Sequence, residues 1–146
     1  MTGRAASARS RPFRLLLFLG ILIVFAAGGA RAQGADWQIP PDAANLKSPL
    51  PSTPGILKAG RATFASRCQR CHGPEGRGDG PESDPSHPAA NLTDGSRAEI
   101  NPDGVMFYKV WNGRKPMPAF KSELSKNEIW SVVEYVKSLR QSVTAP

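Results

Sequence analysis

Apolar residues fall into a few runs along the chain, separated by stretches rich in proline and glycine. The first run, Leu15 to Ala27, is almost unbroken; Arg4, Arg9, Arg11 and Arg14 precede it and Ala30-Arg31-Ala32 follows it. A basic start, a short apolar segment and an A-x-A site make a secretory signal peptide over residues 1–32, cut after Ala32. The run is short for a spanning helix, which needs about 20 residues. An uncleaved membrane anchor is the alternative. No twin arginine is present, so the general secretion route is expected. Residues 33–53 then hold Pro40, Pro41, Pro49 and Pro51 among few apolar anchors (Trp37, Ile39, Leu46, Leu50). Proline fixes φ and removes a donor, so this reads as an extended arm, pinned to the body by Trp37.

Helical periodicity begins at residue 54. Thr53 is placed as N-cap with Pro54 at the first helical position, and the helix is expected to run to about Gln69. Ile56, Gly60, Phe64 and Cys68 recur every four residues on one face. Glycine inside a helix costs about 1 kcal/mol against alanine, so Gly60 predicts close approach by a second helix. Residues 73–97 are broken by Gly73, Pro74, Gly76, Gly78, Gly80, Pro81, Pro85, Pro88 and Gly95, and read as loop. So long a loop needs something to pack on. A second helix is expected from Asn101 as cap and Pro102 at its first position to Gly113 just past its end. The last is the best punctuated: Ser125 and Glu128 form a capping box, Leu124 and Ile129 a hydrophobic staple. Ile129, Val132, Val133, Val136 and Leu139 then follow at helical spacing. No strand pattern appears, and the fold class is all-α, three to four short helices in a domain spanning residues 54–142.

Composition adds little once the leader is set aside. The whole chain carries 19 basic and 12 acidic residues, a net +7. Five of the arginines lie in the leader, leaving 14 against 12, or +2, in the mature chain. No basic stripe with interleaved aromatics remains, so nucleic acid is not an expected partner. A mature chain of this size builds only a thin core, and small domains usually need a staple.

Cys68-Gln69-Arg70-Cys71-His72 supplies one. It uses both cysteines and one of the two histidines within five residues. C-x-x-C-H is the attachment signature of c-type haem: each thiol can add to a porphyrin vinyl group while the adjacent histidine binds the iron. On a helix, residues three and four apart share a face, so all three side chains meet one flat cofactor. A thioredoxin-like pair would follow a strand, yet helix precedes Cys68. Zinc would need His87 as its fourth ligand, and a Cys68–Cys71 disulfide would close too short a loop to stabilise much.

Apart from the initiator, the methionines are Met106 and Met117. Met106 sits at helical spacing, where methionine is usually core filler. Met117 stands between Pro116 and Pro118 and cannot be helix interior. With His72 on one face of the iron, its thioether on the other completes six-coordination, and Met/His ligation raises the reduction potential.

These residues resemble a class I, single-haem bacterial cytochrome c. The likeness covers roughly 54–140: Gly60 and Phe64 ahead of the C-x-x-C-H, Gly80-Pro81, Pro116-Met117-Pro118-Ala119-Phe120, and a last helix with Trp130 and Tyr135. It implies a small cytochrome c fold around one covalent haem, whose first and last helices cross where Gly60 and Phe64 meet the region of Val132 to Val136. It also implies that a loop-proline carbonyl, here Pro81, accepts from the second ring nitrogen of His72, orienting the ring.

With both axial positions filled and no general-base or nucleophile constellation, the expected role is not that of an enzyme. It is outer-sphere one-electron transfer in the periplasm between a protein donor and acceptor, with the membrane involved only through an uncleaved leader or a membrane-bound partner. Lys109, Arg114, Lys115 and Lys121 lie between Asp103 and Glu123 with no acid among them, and are candidates for docking a partner's acidic patch. Two other readings stand: a gas-binding sensor or haem enzyme with an open iron position, and a cytochrome subunit fixed in a dehydrogenase or respiratory complex through the arm.

Overall fold

The computed structural model describes residues 2–3 and 37–144, and side chains no further than Arg140. The leader, its cleavage after Ala32 and the first residues of the arm lie outside the described residues. In chain order the elements are α1 (Pro41–Asn45), α2 (Pro54–Arg67), α3 (Gln69–His72), a 3-10 turn (Gly95–Arg97), α4 (Asp103–Asn112) and α5 (Lys126–Thr144). Two isolated bridges are the only β pairing among the described residues. The fold is all-α. No helix among them is long and apolar enough to cross a membrane.

Local chemistry sets most of the helix ends. Thr53 Oγ1 accepts from the Ile56 amide at 3.4 Å, with Pro54 at the first helical position. At the start of α5 the Ser125 amide donates to Glu128 Oε2 at 2.8 Å, and the Glu128 amide donates to Ser125 Oγ at 3.3 Å. That reciprocal pair satisfies two donors a bare helix end leaves open. α4 starts one residue later than expected, because Pro102 stays extended (ψ 171°) and is itself the cap. α2 stops short of Gln69, where Cys68 (φ −110°, ψ −34°) interrupts the helix before α3 resumes it.

α2 and α5 form the principal helix pair. Their crossing is at Gly60, where a Cβ would stand 2.0 Å from the Ser131 carbonyl oxygen and 2.9 Å from Tyr135 Cβ. The close approach lets Phe64 sink to 1% exposure, with its ring 5.4 Å from that of Tyr135. Phe64, Met106, Trp130, Val132, Val133 and Val136 form the main core, against which Cys68 and Leu92 pack. A second cluster of Phe120, Leu124 and Ile129 lies against Val110 and Trp111. Phe107 borders both and stacks on Trp130 at 4.3 Å and on Trp111 at 5.6 Å. Met106 is core filler, as its spacing suggested.

The arm departs from the extended reading. Pro41–Asn45 is a helical turn, started by Pro41 at its first position behind an extended Pro40. The rest of the arm, from Leu46 to Ser52, is tied down by bonds distant in sequence. The Gly104 amide donates to the Leu46 carbonyl at 3.1 Å, and the Ser48 amide to Asp103 Oδ2 at 3.1 Å. The Ser52 hydroxyl donates to Glu134, a carboxylate only 2% exposed. Lys137 Nζ joins Glu134 at 2.9 Å to Asp103 at 3.2 Å. Trp37 lies under two cations, with Lys109 Nζ 5.5 Å and the Arg114 guanidinium 5.1 Å from the ring centroid.

Candidate haem-binding site

The Cys-x-x-Cys-His turn is α3 and the residue before it. Amides of Cys71 and His72 donate to the Cys68 carbonyl at 3.2 and 3.0 Å, so the three side chains, three and four residues apart, share one face of a helical turn. Gly73 ends it at φ +77°, where a Cβ would also strike Asp79 Oδ1 at 1.9 Å. A helix end leaves its last carbonyls open. Here residues 78–82 fold back to close them: the amides of Glu82, Gly80 and Gly78 donate to the carbonyls of Arg70, Cys71 and His72 at 2.8, 3.1 and 2.8 Å.

That return strap explains where Pro81 goes. It is exposed, in the middle of a segment whose amides are spent on α3. The ring of His72 bonds elsewhere, with Nδ1 lying 3.0 Å from the carbonyl oxygen of Ala90. The orienting group is therefore Ala90 and not Pro81. Residues 89–92 reach the ring because the Leu92 amide donates to Gly76 at 2.7 Å and the Ala89 amide to Ser83 Oγ at 3.0 Å. The sequence does carry a trace of this, since Leu92 is an apolar residue in a polar loop and packs on the core. A carbonyl can only accept, so Nδ1 carries the proton and Nε2 keeps its lone pair for a metal. Burial pulls the His72 pKa below its ordinary value, and the Ala90 bond opposes this only partly. The neutral, ligand-competent imidazole is favoured.

Both cysteines are free thiols. Cys68 packs on the core, and burial, then the neighbouring Cys71, push its pKa up to about 12. Cys71 Sγ faces the Glu82 carbonyl at 3.5 Å. Among the described residues no group of three or more His, Cys, Asp or Glu side chains is arranged to hold a metal ion. Two thiols and an imidazole with a free Nε2 on one turn are the donors that haem c requires, and in that respect the site fits the group.

Met117 sits on a tight turn after α4. The Arg114 and Met117 backbones exchange two hydrogen bonds of 2.9 Å, and the Lys115–Pro116 peptide within the turn is cis. Beyond it, the amides of Phe120 and Lys121 donate to Val110 and Trp111 on α4 at 3.1 and 3.3 Å. The half-buried thioether is thus carried on a braced loop. Lys115 and Pro116 of this turn and Asp84 and His87 of the loop after the strap line one cleft of about 480 Å3. The four candidate docking cations separate into two kinds. Lys115 and Lys121 are exposed. Lys109 is half-buried, bonded to Asn101 and set over Trp37, and burial followed by the nearby arginines lowers its pKa. Arg114 is engaged by the same indole.

With this geometry in view, the comparisons with known proteins are specific. The family model described as cytochrome c oxidase, cbb3-type, subunit III matches residues 55–136, from the first turn of α2 to the middle of α5. Among solved structures, a chain of the Kuenenia stuttgartiensis reducing HAO-like protein complex aligns with a TM-score of 0.54 and 34% identity. The alignment covers 62% of this chain and 46% of that one, so the likeness reaches less than half of the other protein. No curated protein matches. The family match takes in more than half of the chain, including Cys68, Cys71, His72 and Met117, and the protein belongs to this cytochrome c family: it is a class I monohaem c-type cytochrome.

Proposed function

We propose that the protein is an exported, periplasmic one-electron carrier with a single haem, bound covalently through Cys68 and Cys71 and ligated by His72 and Met117. The observation that supports this most is the His72–Ala90 bond, which holds the ring and fixes its tautomer with Nε2 free. Haem iron, when bound, supplies the reversible uptake of one electron. The chain's own contribution is to hold and tune. Ala90 orients His72, the strap 78–82 keeps the Cys-x-x-Cys-His turn closed, and the braced turn carries Met117 as the ligand that raises the potential. Lys115 and Lys121 offer positive charge to an acidic partner. A carrier of this kind catalyses no bond change itself.

The visible spectrum of protein made with haem-attachment machinery tests this. A low-spin spectrum indifferent to carbon monoxide, losing its methionine–iron charge-transfer band in Met117→Ala, is the expected result. Carbon monoxide binding to the unmutated protein would refute the sealed carrier and favour an open iron. A second reading is a cytochrome subunit held in a larger oxidoreductase assembly. It is favoured by the family description as an oxidase subunit and by the neighbour's presence in a complex. Co-purification with a fixed stoichiometry would decide for it.

A further inference from the structure

A groove of about 310 Å3 lies on the molecule between the arm, α4 and α5, lined by Leu46, Lys47, Pro49, Phe107, Lys126 and Trp130. None of these is a proposed haem ligand or one of the basic residues near Met117. The inner wall is aromatic, since Phe107 and Trp130 stack at 4.3 Å. The rim is cationic, with two exposed lysines, of which Lys126 also lies 5.8 Å over the Trp111 ring, and no acidic lining residue. Leu46 stands over it 47% exposed, one of two large hydrophobic side chains left so open among the described residues.

The groove is also preformed. The backbone that presents Leu46 and Lys47 is held on both sides, by the Gly104 amide on the Leu46 carbonyl and by the Ser48 amide on Asp103, at 3.1 Å each. Gly104 leaves no room to shift, because a Cβ there would meet the Ala43 oxygen at 2.0 Å. A rigid apolar slot avoids most of the ordering cost of association. An aromatic wall is also the kind of surface that carries binding energy.

We infer that this groove is a docking site for an acidic segment of a partner protein, one apolar side chain entering between Phe107 and Leu46 while flanking carboxylates meet Lys47 and Lys126. Charge complementarity selects this occupant: two lysines on the rim attract carboxylates and repel a basic segment or a second copy presenting the same rim. The site stands apart from the haem-ligand assignment, and either can fail without the other.

The test uses reduced, haem-loaded protein followed by NMR, with the peptide Glu-Glu-Phe-Leu-Glu-Glu, end-blocked, as probe. Saturable shifts of the amides of residues 46–50 and the Trp130 indole are expected. Affinity should fall at least tenfold for the Gln-Gln-Phe-Leu-Gln-Gln peptide and at least tenfold in Lys47→Glu/Lys126→Glu. Both lysines are exposed, and an acid in the first turn of α5 suits the helix dipole, so the double variant keeps its fold. Leu46→Ser should weaken binding several-fold. No saturable shift at millimolar peptide overturns the proposal. So do shifts that map to Lys115 and Lys121, equal binding by the double variant, or the same shifts produced by raising protein concentration without peptide.

Discussion

Replacing Gly60 by alanine adds one methyl group and, in isolation, should help. Alanine is about 1 kcal/mol better than glycine inside a helix. The structure reverses the sign. The new Cβ would stand 2.0 Å from the Ser131 oxygen, 2.6 Å from its carbonyl carbon and 2.9 Å from Tyr135 Cβ. These are mostly backbone atoms of a long helix, which no rotamer change can move aside. Ordinary contact starts at 3.4 Å, so the crossing must open by about 1.4 Å. A gap of 0.5–1 Å already forfeits roughly a quarter to a half of a dispersion contact. Phe64 and Tyr135 lie directly at this seam. Overpacking costs about 1–3 kcal/mol in general, and a backbone clash belongs at or above the upper end. After the propensity gain, a net loss of about 2 kcal/mol is expected, or roughly 8–16 °C in Tm for a domain this small. Gly55 is the control. It lies in the same helix with nothing within 4 Å of its Cβ position, and Gly55→Ala should be neutral or stabilising by up to about 1 kcal/mol. Urea and thermal unfolding, followed by helical circular dichroism at matched haem content, would measure both. Gly60→Ala as stable as the parent, or Gly55→Ala losing as much, would refute the close-packing account.

Four other expectations follow from particular side chains. Burial raises the Glu134 carboxyl, but hydrogen bonds from Ser52, Lys137 and Ser48 outweigh it and hold the pKa below its ordinary value. The stability it contributes is therefore present above about pH 4.5 and lost as pH falls through the depressed folded value. Glu134→Gln should cost about 1–3 kcal/mol near neutrality and flatten the acid limb of a Tm-against-pH curve; an unchanged limb would count against the network. Lys137 works at the other end: its own burial is overcome by Glu134 and Asp103, its pKa is raised, and its contribution fades as pH climbs above about 10.5. Ser125→Ala removes the hydroxyl that caps α5 and should cost about 1 kcal/mol by urea titration, Ser125→Asp much less. Lys115→Glu/Lys121→Glu should slow electron transfer to an acidic partner at low salt and converge on the parent rate at high salt, by stopped-flow; equal rates at low salt would remove this face as the steering surface.

What the amino-acid order settled was everything that a few neighbouring residues decide. The Thr53-Pro54 start, the Ser125–Glu128 box and the grouping of Cys68, Cys71 and His72 on one turn each close within four residues, and short-range geometry leaves them one arrangement. Gly60 belongs here too, because a glycine at the centre of an otherwise periodic face announces a close neighbour even before that neighbour is known. The partner of the His72 ring was not of this kind. It lies 18 residues away, at Ala90, and any carbonyl the loop brought within 3 Å would have served. Pro81 gave way to a global fact, the path of the loop that brings Ala90 and not Pro81 to the ring. The helical turn in the arm, the 82-residue reach from Ser52 to Glu134 and the capture of Lys109 and Arg114 by Trp37 were likewise decided only by tertiary structure. Charge and propensity mark a side chain as exposed or buried on average, whereas burial of a carboxylate or screening of a lysine depends on which distant groups the packed chain brings against it.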